Sequence, residues 1–286
     1  LPLIPLTEAR SKAPVFSAAS YNLPGWFGKA PLTVKNLNLR ELANRIDWTP
    51  FFHFWGFKGK YPEIIRTHEE AAKTYQAALE TLEQVISGNE FEASLTVKFY
   101  SAYAENDDIV LDNTLRLNML RQQNDRECCL CLSDYVIPKA QGYSTVGLFC
   151  LKVADKHPGC DCRDFRHLLR ESLCARLTEA LAEWMQKQVS GELHVIRPAF
   201  GYSACPDHAL KKEVFRLLNA EKEIGVSLTS SYAIQPTTSL CGMLIAHPEA
   251  RYFSIGKIGK DQLHSYCQRR NIPESEGIRL LGSLIQ

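Results

Sequence analysis

The chain has 286 residues, 45% hydrophobic and 23% charged, which is long enough for one large globular domain with a real core. Lys plus Arg number 33 against 32 for Asp plus Glu, so the basic surplus of a nucleic-acid binder is missing. No apolar run reaches bilayer-spanning length, and the prediction is a protein bound to neither nucleic acid nor membrane.

Residues 1–37 are rich in Pro and Gly and lack periodicity, and are read as an extended, linker-like arm. The leading LPLIPL is broken by Pro2 and Pro5 and has no basic region before it, unlike a signal peptide. Residues 38–286 are taken as the domain proper. NLRELANRI (38–46) predicts a short helix. IDWTPFFHFWGFKGKYP (46–62) is dense in aromatics and interrupted by Pro50, Gly56 and Gly59, so a packed loop with a short strand is expected. A long helix follows from Pro62 to a stop at Gly88. ASLTVKFYSAY (93–103) alternates as a strand, and DDIVL (107–111) could pair with it. A short helix is expected over 112–121, and a buried strand over 144–154. Arg163 to Val189 has apolar residues at helical spacing. PDHALKKEVFRLLNAEKEIG (206–225) opens with Pro and ends with Gly, as helices do. SLCGMLIAHP and RYFSIGKI look like two strands of a hairpin, and two short helices close the chain. Strands and helices are interspersed without regular βαβ alternation, which argues for an α+β fold with an antiparallel or mixed sheet.

Ten Cys is a high count, yet several sit in apolar runs such as GLFCLKV, where a free thiol packs as a small hydrophobe. A disulfide framework is not expected without an export signal. Cys128 and Cys131, Cys160 and Cys162, with His157 and His167, are a candidate zinc set. The two pairs lie about 30 residues apart across a predicted buried strand, and RECCLCL offers no knuckle turn, so no metal site is assigned. A zinc-dependent enzyme stays as a minor alternative. Nucleophile elbow, P-loop and dinucleotide-binding motifs are missing, and no catalytic residue is assigned.

RPAFGYSACPDH (197–208) is the stretch whose chemistry stands out. Pro198 fixes φ and extends Arg197, Ala199 adds little bulk, and Gly201 permits close approach. Such a strip can offer backbone N–H and C=O groups to a flat heterocycle, with Tyr202 to stack and Arg197 to fork onto a carboxylate or phosphate. A bland helix-to-helix connector fits the same residues. Asp47 among aromatics, and Glu179 one helical turn before Glu183, are the acidic candidates; Glu183 is read as solvated. Tyr252 in HPEARYF is either a groove residue or a packing residue.

RIDWTPFFHFWGFKGKYP, CLSDYVIPK, LTEALAEW, RPAFGYSACPDH and AHPEARYF occur in that order. Together they closely resemble the C-terminal activation (reactivation) domain of cobalamin-dependent methionine synthase, from about residue 38 to the end. The resemblance implies a single bent α+β domain with a twisted antiparallel sheet flanked by helices. It implies a cytoplasmic S-adenosylmethionine-binding module that serves methionine biosynthesis as part of a methyltransferase. The methyl donor would be presented for reductive methylation of inactive cob(II)alamin, with cobalamin on a partner domain or chain and flavodoxin or a flavin reductase as electron donor. The ligand residues carried over are Asp47 for the α-amino group, Arg197 for the carboxylate, and Ala199 and Gly201 for the adenine. Glu179 would face the cationic end, and Tyr202 and Tyr252 would line the groove. Ser203 stands where the family usually has Pro, Ala175 replaces an acid tied to docking on the cobalamin domain, and the stretch before Arg197 is short. The cobalt-ligating D-x-H-x-x-G motif is missing, so the chain is not expected to make methionine alone. The rival reading is a docking or chaperone protein for a cobalamin-binding partner that has lost the ligand.

Overall fold

The computed structural model describes residues 2–21, 32–157 and 164–286. The arm holds a short helix α1 (Leu6–Ser11) and a strand β1 (Leu32–Val34). Helices α2 (Leu39–Ala43), α3 (Thr49–Phe54), α4 (Glu63–Thr67) and α5 (Glu69–Ser87) follow. Strands β2 (Phe91–Glu105), β3 (Asp108–Leu111), β4 (Leu115–Asn118) and β5 (Ser144–Asp155) lead to helix α6 (Phe165–Ser190) and the short strand β6 (Val195–Ile196). Then come α7 (Lys211–Leu218), α8 (Ala220–Ile224), the paired short strands β7 (Ser227–Leu228) and β8 (Ile234–Gln235), β9 (Ser239–Ala246), α9 (Lys260–Arg270) and α10 (Glu274–Leu281).

One sheet of seven strands organises the molecule, in the order β4-β3-β2-β5-β9-β6 with β1 on β2, and every pairing is antiparallel. Alternation along the strands builds two cores. Phe91, Ala93, Leu95, Val97, Phe149, Leu151 and Val153 face α2, α3, α5 and α6. Ala102, Val146, Leu148, Cys150, Cys241, Met243 and Ile245 face α7 and α8 on the other side. This is the expected α+β architecture of an antiparallel sheet flanked by helices.

The longest helix, α6, has 26 residues and starts at Asp164, whose carboxylate accepts from His167 N–H at 2.8 Å. Leu169, Leu173, Leu177, Leu181 and Met185 recur every four residues and are buried against the sheet.

Several expectations are corrected. The aromatic run 46–62 contains a helix, α3, and among the described residues no strand. Pro50 sits in its first turn, where a missing N–H costs nothing, and Asp47 accepts from Thr49 N–H at 3.0 Å. The helix expected from Pro62 to Gly88 is two helices, because His68 adopts an extended conformation (φ −135°, ψ 106°) and caps α5 through Ala71 N–H. Residues 112–121 contain strand β4 rather than a helix: Asp112 and Asn113 both take positive φ and turn the chain into a hairpin. The 206–225 helix breaks at Asn219, which is left-handed (φ 50°). RYFSIGKI runs beside the sheet without joining it, so there is no hairpin with β9. The arm is not simply extended: α1 docks through Leu6 N–H on Asp261 (2.6 Å) and Arg10 on Asp107 (2.8 Å).

A buried charge cluster holds these parts together. The Arg121 side chain is 4% exposed and donates to Asp107 (2.8 Å), Asp134 (2.7 Å) and the Cys129 carbonyl (2.7 Å). Burial alone would raise the Asp107 carboxyl, but Arg121 and Arg10 bring it below its ordinary value. For Asp134, burial outweighs the pull of Arg121 and the carboxyl is raised. Replacing Arg121 by Met leaves two buried carboxylates short of their counter-charge, and should cost about 3–5 kcal/mol in urea denaturation. Arg10→Met, at a half-exposed site, should cost under about 1 kcal/mol. Equal midpoints for the two variants would mean that the cluster does not hold the fold.

Candidate functional site

Residues 195–200 form the edge of the sheet, and the alternation of their hydrogen bonds decides what they show to solvent. Met243 N–H donates to Pro198 O (2.9 Å) and Phe200 N–H donates to Cys241 O (3.1 Å). Ala199 lies between them, opposite Gly242, so its own N–H and C=O turn away from β9. The C=O accepts from Tyr202 N–H at 3.3 Å. The N–H has no acceptor among the described residues. Arg197 has the same parity, and its outward N–H donates to the Tyr252 hydroxyl at 2.8 Å. The strip thus offers the Ala199 amide beside groups already bonded, rather than a continuous row of free backbone groups.

The strip can lie this close because β9 has a glycine under it. A Cβ on Gly242 would stand 2.5 Å from Pro198 O and 2.9 Å from the Phe149 ring. Phe200 turns inward and is 1% exposed, which anchors the strip in the second core. Gly201 then takes φ +90° in a turn closed by Gly201 N–H to Cys205 O at 2.7 Å, and a Cβ there would meet the His208 ring at 2.3 Å.

The rest of the motif is structural. Cys205 is buried, with Sγ 3.9 Å from Met119 Sδ, and burial pushes its thiol well up. Asp207 caps the next turn through Ala209 N–H (2.7 Å) and accepts from Tyr266 (2.5 Å) and Arg270 (2.6 Å), which ties α9 to the motif. His208 packs under Gly201 beside Lys211 Nζ (2.8 Å), and burial, with the Lys211 charge, lowers its ordinary pKa. Ser203 accepts from Ile255 N–H (2.9 Å) and donates to Phe253 O (3.3 Å). The Oγ bond is one a proline at this position could not make, so the departure adds a tie to the RYFSIGKI segment.

A groove of about 370 Å³ opens at this edge, within the usual range for small-ligand sites. It is lined by Phe149 and Leu240 of the sheet, by residues 197–199 and 202–204, and by Glu179 and Tyr252. Tyr202 and Tyr252 are exposed at 60% and 62%, as rings at a mouth would be. The Tyr252 hydroxyl spends its oxygen on Arg197 N–H, so its proton is free to donate. The Arg197 side chain is 16% exposed, with Nη1 on Gln186 Oε1 at 2.7 Å and Nη2 at 3.9 Å from Glu179. The site therefore combines a guanidinium fork, an open amide, a carboxylate and two aromatic rings.

The structure brings Glu179, Arg197, Ala199, Tyr202 and Tyr252 to one groove, with Gly201 shaping the turn next to it. Asp47 is not in the lining: it is exposed, and one carboxylate oxygen caps Thr49. Gln186 and Leu240 were missed. Gln186 lies two helical turns beyond Glu179 on α6, a spacing that could have flagged it. Eight described cysteines are free thiols, and among the described residues no group of three or more His, Cys, Asp or Glu is placed to hold a metal ion. Cys160 and Cys162, half of the candidate zinc set, lie outside the described residues. No helix among the described residues is long and apolar enough to cross a membrane.

Comparison with known proteins places this groove in context. A family model described as the activation domain of vitamin B12 dependent methionine synthase matches residues 38–271. The crystal structure of the MetH reactivation domain bound to AdoHcy is similar at a TM-score of 0.93 and 27% identity, over 100% of this chain and 99% of that one.

If Gly242 sets the height of the strip, Gly242→Ala should cost about 1–3 kcal/mol and lower the melting temperature by several degrees. An unchanged melting temperature would show that the strip does not depend on this contact.

Proposed function

Because the chain belongs to the activation-domain family of vitamin B12 dependent methionine synthase, we propose that its groove binds S-adenosylmethionine and presents it to a cobalamin-binding domain. The observation that carries this reading is that the Arg197 guanidinium and the open Ala199 amide line the same groove. Together they suit a ligand that carries both a carboxylate and a heterocycle with a hydrogen-bond acceptor.

Each residue then has one task. Arg197 binds the methionyl carboxylate through its remaining guanidinium donors. Tyr252 donates its free hydroxyl proton into the same groove. Ala199 N–H donates to the edge of the adenine, and Tyr202 covers a ring face. Glu179 supplies negative charge for the sulfonium end. Asp47, outside the groove lining, is carried over from the family motif for the α-amino group, through the oxygen not used by Thr49. The bound ligand supplies an electrophilic methyl group, and the chain supplies placement and charge without a nucleophile of its own. This matches a methyltransferase-related role in a module whose cobalamin is carried elsewhere. An electron donor such as flavodoxin or a flavin reductase would act on the cobalamin partner, in the cytoplasm.

Calorimetric titration with S-adenosylmethionine tests the reading. One-site binding is expected, and Arg197→Ala should weaken it by roughly tenfold to a hundredfold, the worth of a charge-assisted hydrogen bond. Unchanged affinity in Arg197→Ala would remove the carboxylate assignment, and no binding by the unaltered chain would remove the function.

A further inference from the structure

Gln186 is committed at both ends of its side-chain amide. Its Nε2 donates to Val195 O at 2.8 Å, and its Oε1 accepts from Arg197 Nη1 at 2.7 Å. A carbonyl can only accept and a guanidinium can only donate, so the amide has one allowed orientation. Val195 has the same parity as Arg197 and Ala199 on the edge strand, so its carbonyl also points away from β9. Gln186 therefore bridges a fixed backbone carbonyl to the guanidinium two residues further along. The other polar neighbour of that guanidinium, Glu179, stands at 3.9 Å, beyond hydrogen-bond distance.

Gln186 and Glu179 both come from α6, two turns apart on one stripe of the helix. The guanidinium is hydrogen-bonded to the first at 2.7 Å and stands 3.9 Å from the second. Of its five N–H donors, one goes to Gln186 and the rest keep the fork available. An arginine held in advance loses less rotamer freedom when a ligand binds.

We propose that Gln186 is a positioning residue, which fixes Arg197 in the orientation that receives a ligand carboxylate and keeps it from closing onto Glu179. The inference rests on the S-adenosylmethionine reading above. A glutamine suits the task for a specific reason: glutamate would compete with the ligand for Arg197 and repel the Val195 carbonyl, and an apolar side chain would leave both partners without a bond.

The test is calorimetric affinity for S-adenosylmethionine and for its decarboxylated analogue, which keeps the adenosine, the sulfonium and the amine. The chain is compared with Gln186→Met and Gln186→Glu, with melting temperatures to check folding. Gln186→Met should weaken S-adenosylmethionine roughly tenfold and change the decarboxylated analogue by less than about twofold. Gln186→Glu should show the same selective loss through competition for the fork, and stands in if the methionine variant does not fold. Equal loss for both ligands would make Gln186 a structural residue only, and no loss for either would overturn the inference while leaving the proposed function standing. An unaltered chain that binds neither ligand overturns both.

Discussion

The pairing of residues 195–200 with β9 governs this site more than any single side chain does. Hydrogen bonds in an antiparallel ladder alternate in direction, so fixing Pro198 and Phe200 against β9 forces Val195, Arg197 and Ala199 to face the other way. The outward groups then meet three different fates: Gln186 takes the Val195 carbonyl, Tyr252 takes the Arg197 N–H, and the Ala199 N–H stays open. A shift of one residue in register would exchange these roles and turn Arg197 onto the face that Ile196 and Phe200 now occupy. The register is held by Phe200 in one core, by the absence of a side chain on Gly242, and by the turn at Gly201.

The site also joins parts that are distant in the chain. Helix α6 packs on the first core and lends Glu179 and Gln186 to the groove. The RYFSIGKI segment, tied to Ser203 at two atoms, brings Tyr252. Behind the motif, Asp207 joins it to α9 through Tyr266 and Arg270. Further along, the Arg121 cluster fastens the arm, through Arg10, to the β3–β4 hairpin.

The sequence was most legible where one periodicity ran long. Strands β2 and β5 and helix α6 follow from alternation and four-residue spacing that nothing interrupts. It misled where a local signal had two outcomes. Asp112 and Asn113 can open a helix or turn a hairpin, and their left-handed backbone chose the hairpin. The run 46–62, broken by Pro50, Gly56 and Gly59, looked too irregular for a helix, yet Trp48, Phe51 and Phe52 pack edge to face along the short helix and onto Tyr75. RYFSIGKI has strand composition but bonds to Ser203, Gln122 and, at Ile258, the C-terminal residues instead of joining the sheet. In the site, Arg197 and Ala199 were legible because Pro198 and Gly201 mark an unusual backbone. Gln186 was missed: only its two-turn spacing from Glu179 marked it, and that spacing gains meaning once the fold shows what the stripe faces.

The edge strand has a consequence beyond ligand binding. An unpaired strand edge normally recruits other chains, which add to it through a row of alternating donors and acceptors. Here the row is interrupted: a side-chain amide covers Val195 O, a phenol covers Arg197 N–H, and Ala199 C=O is folded back onto Tyr202. A row broken in this way is a poor template for a peptide. The same features that leave the Ala199 N–H for a small molecule blunt the growth of the sheet at this border.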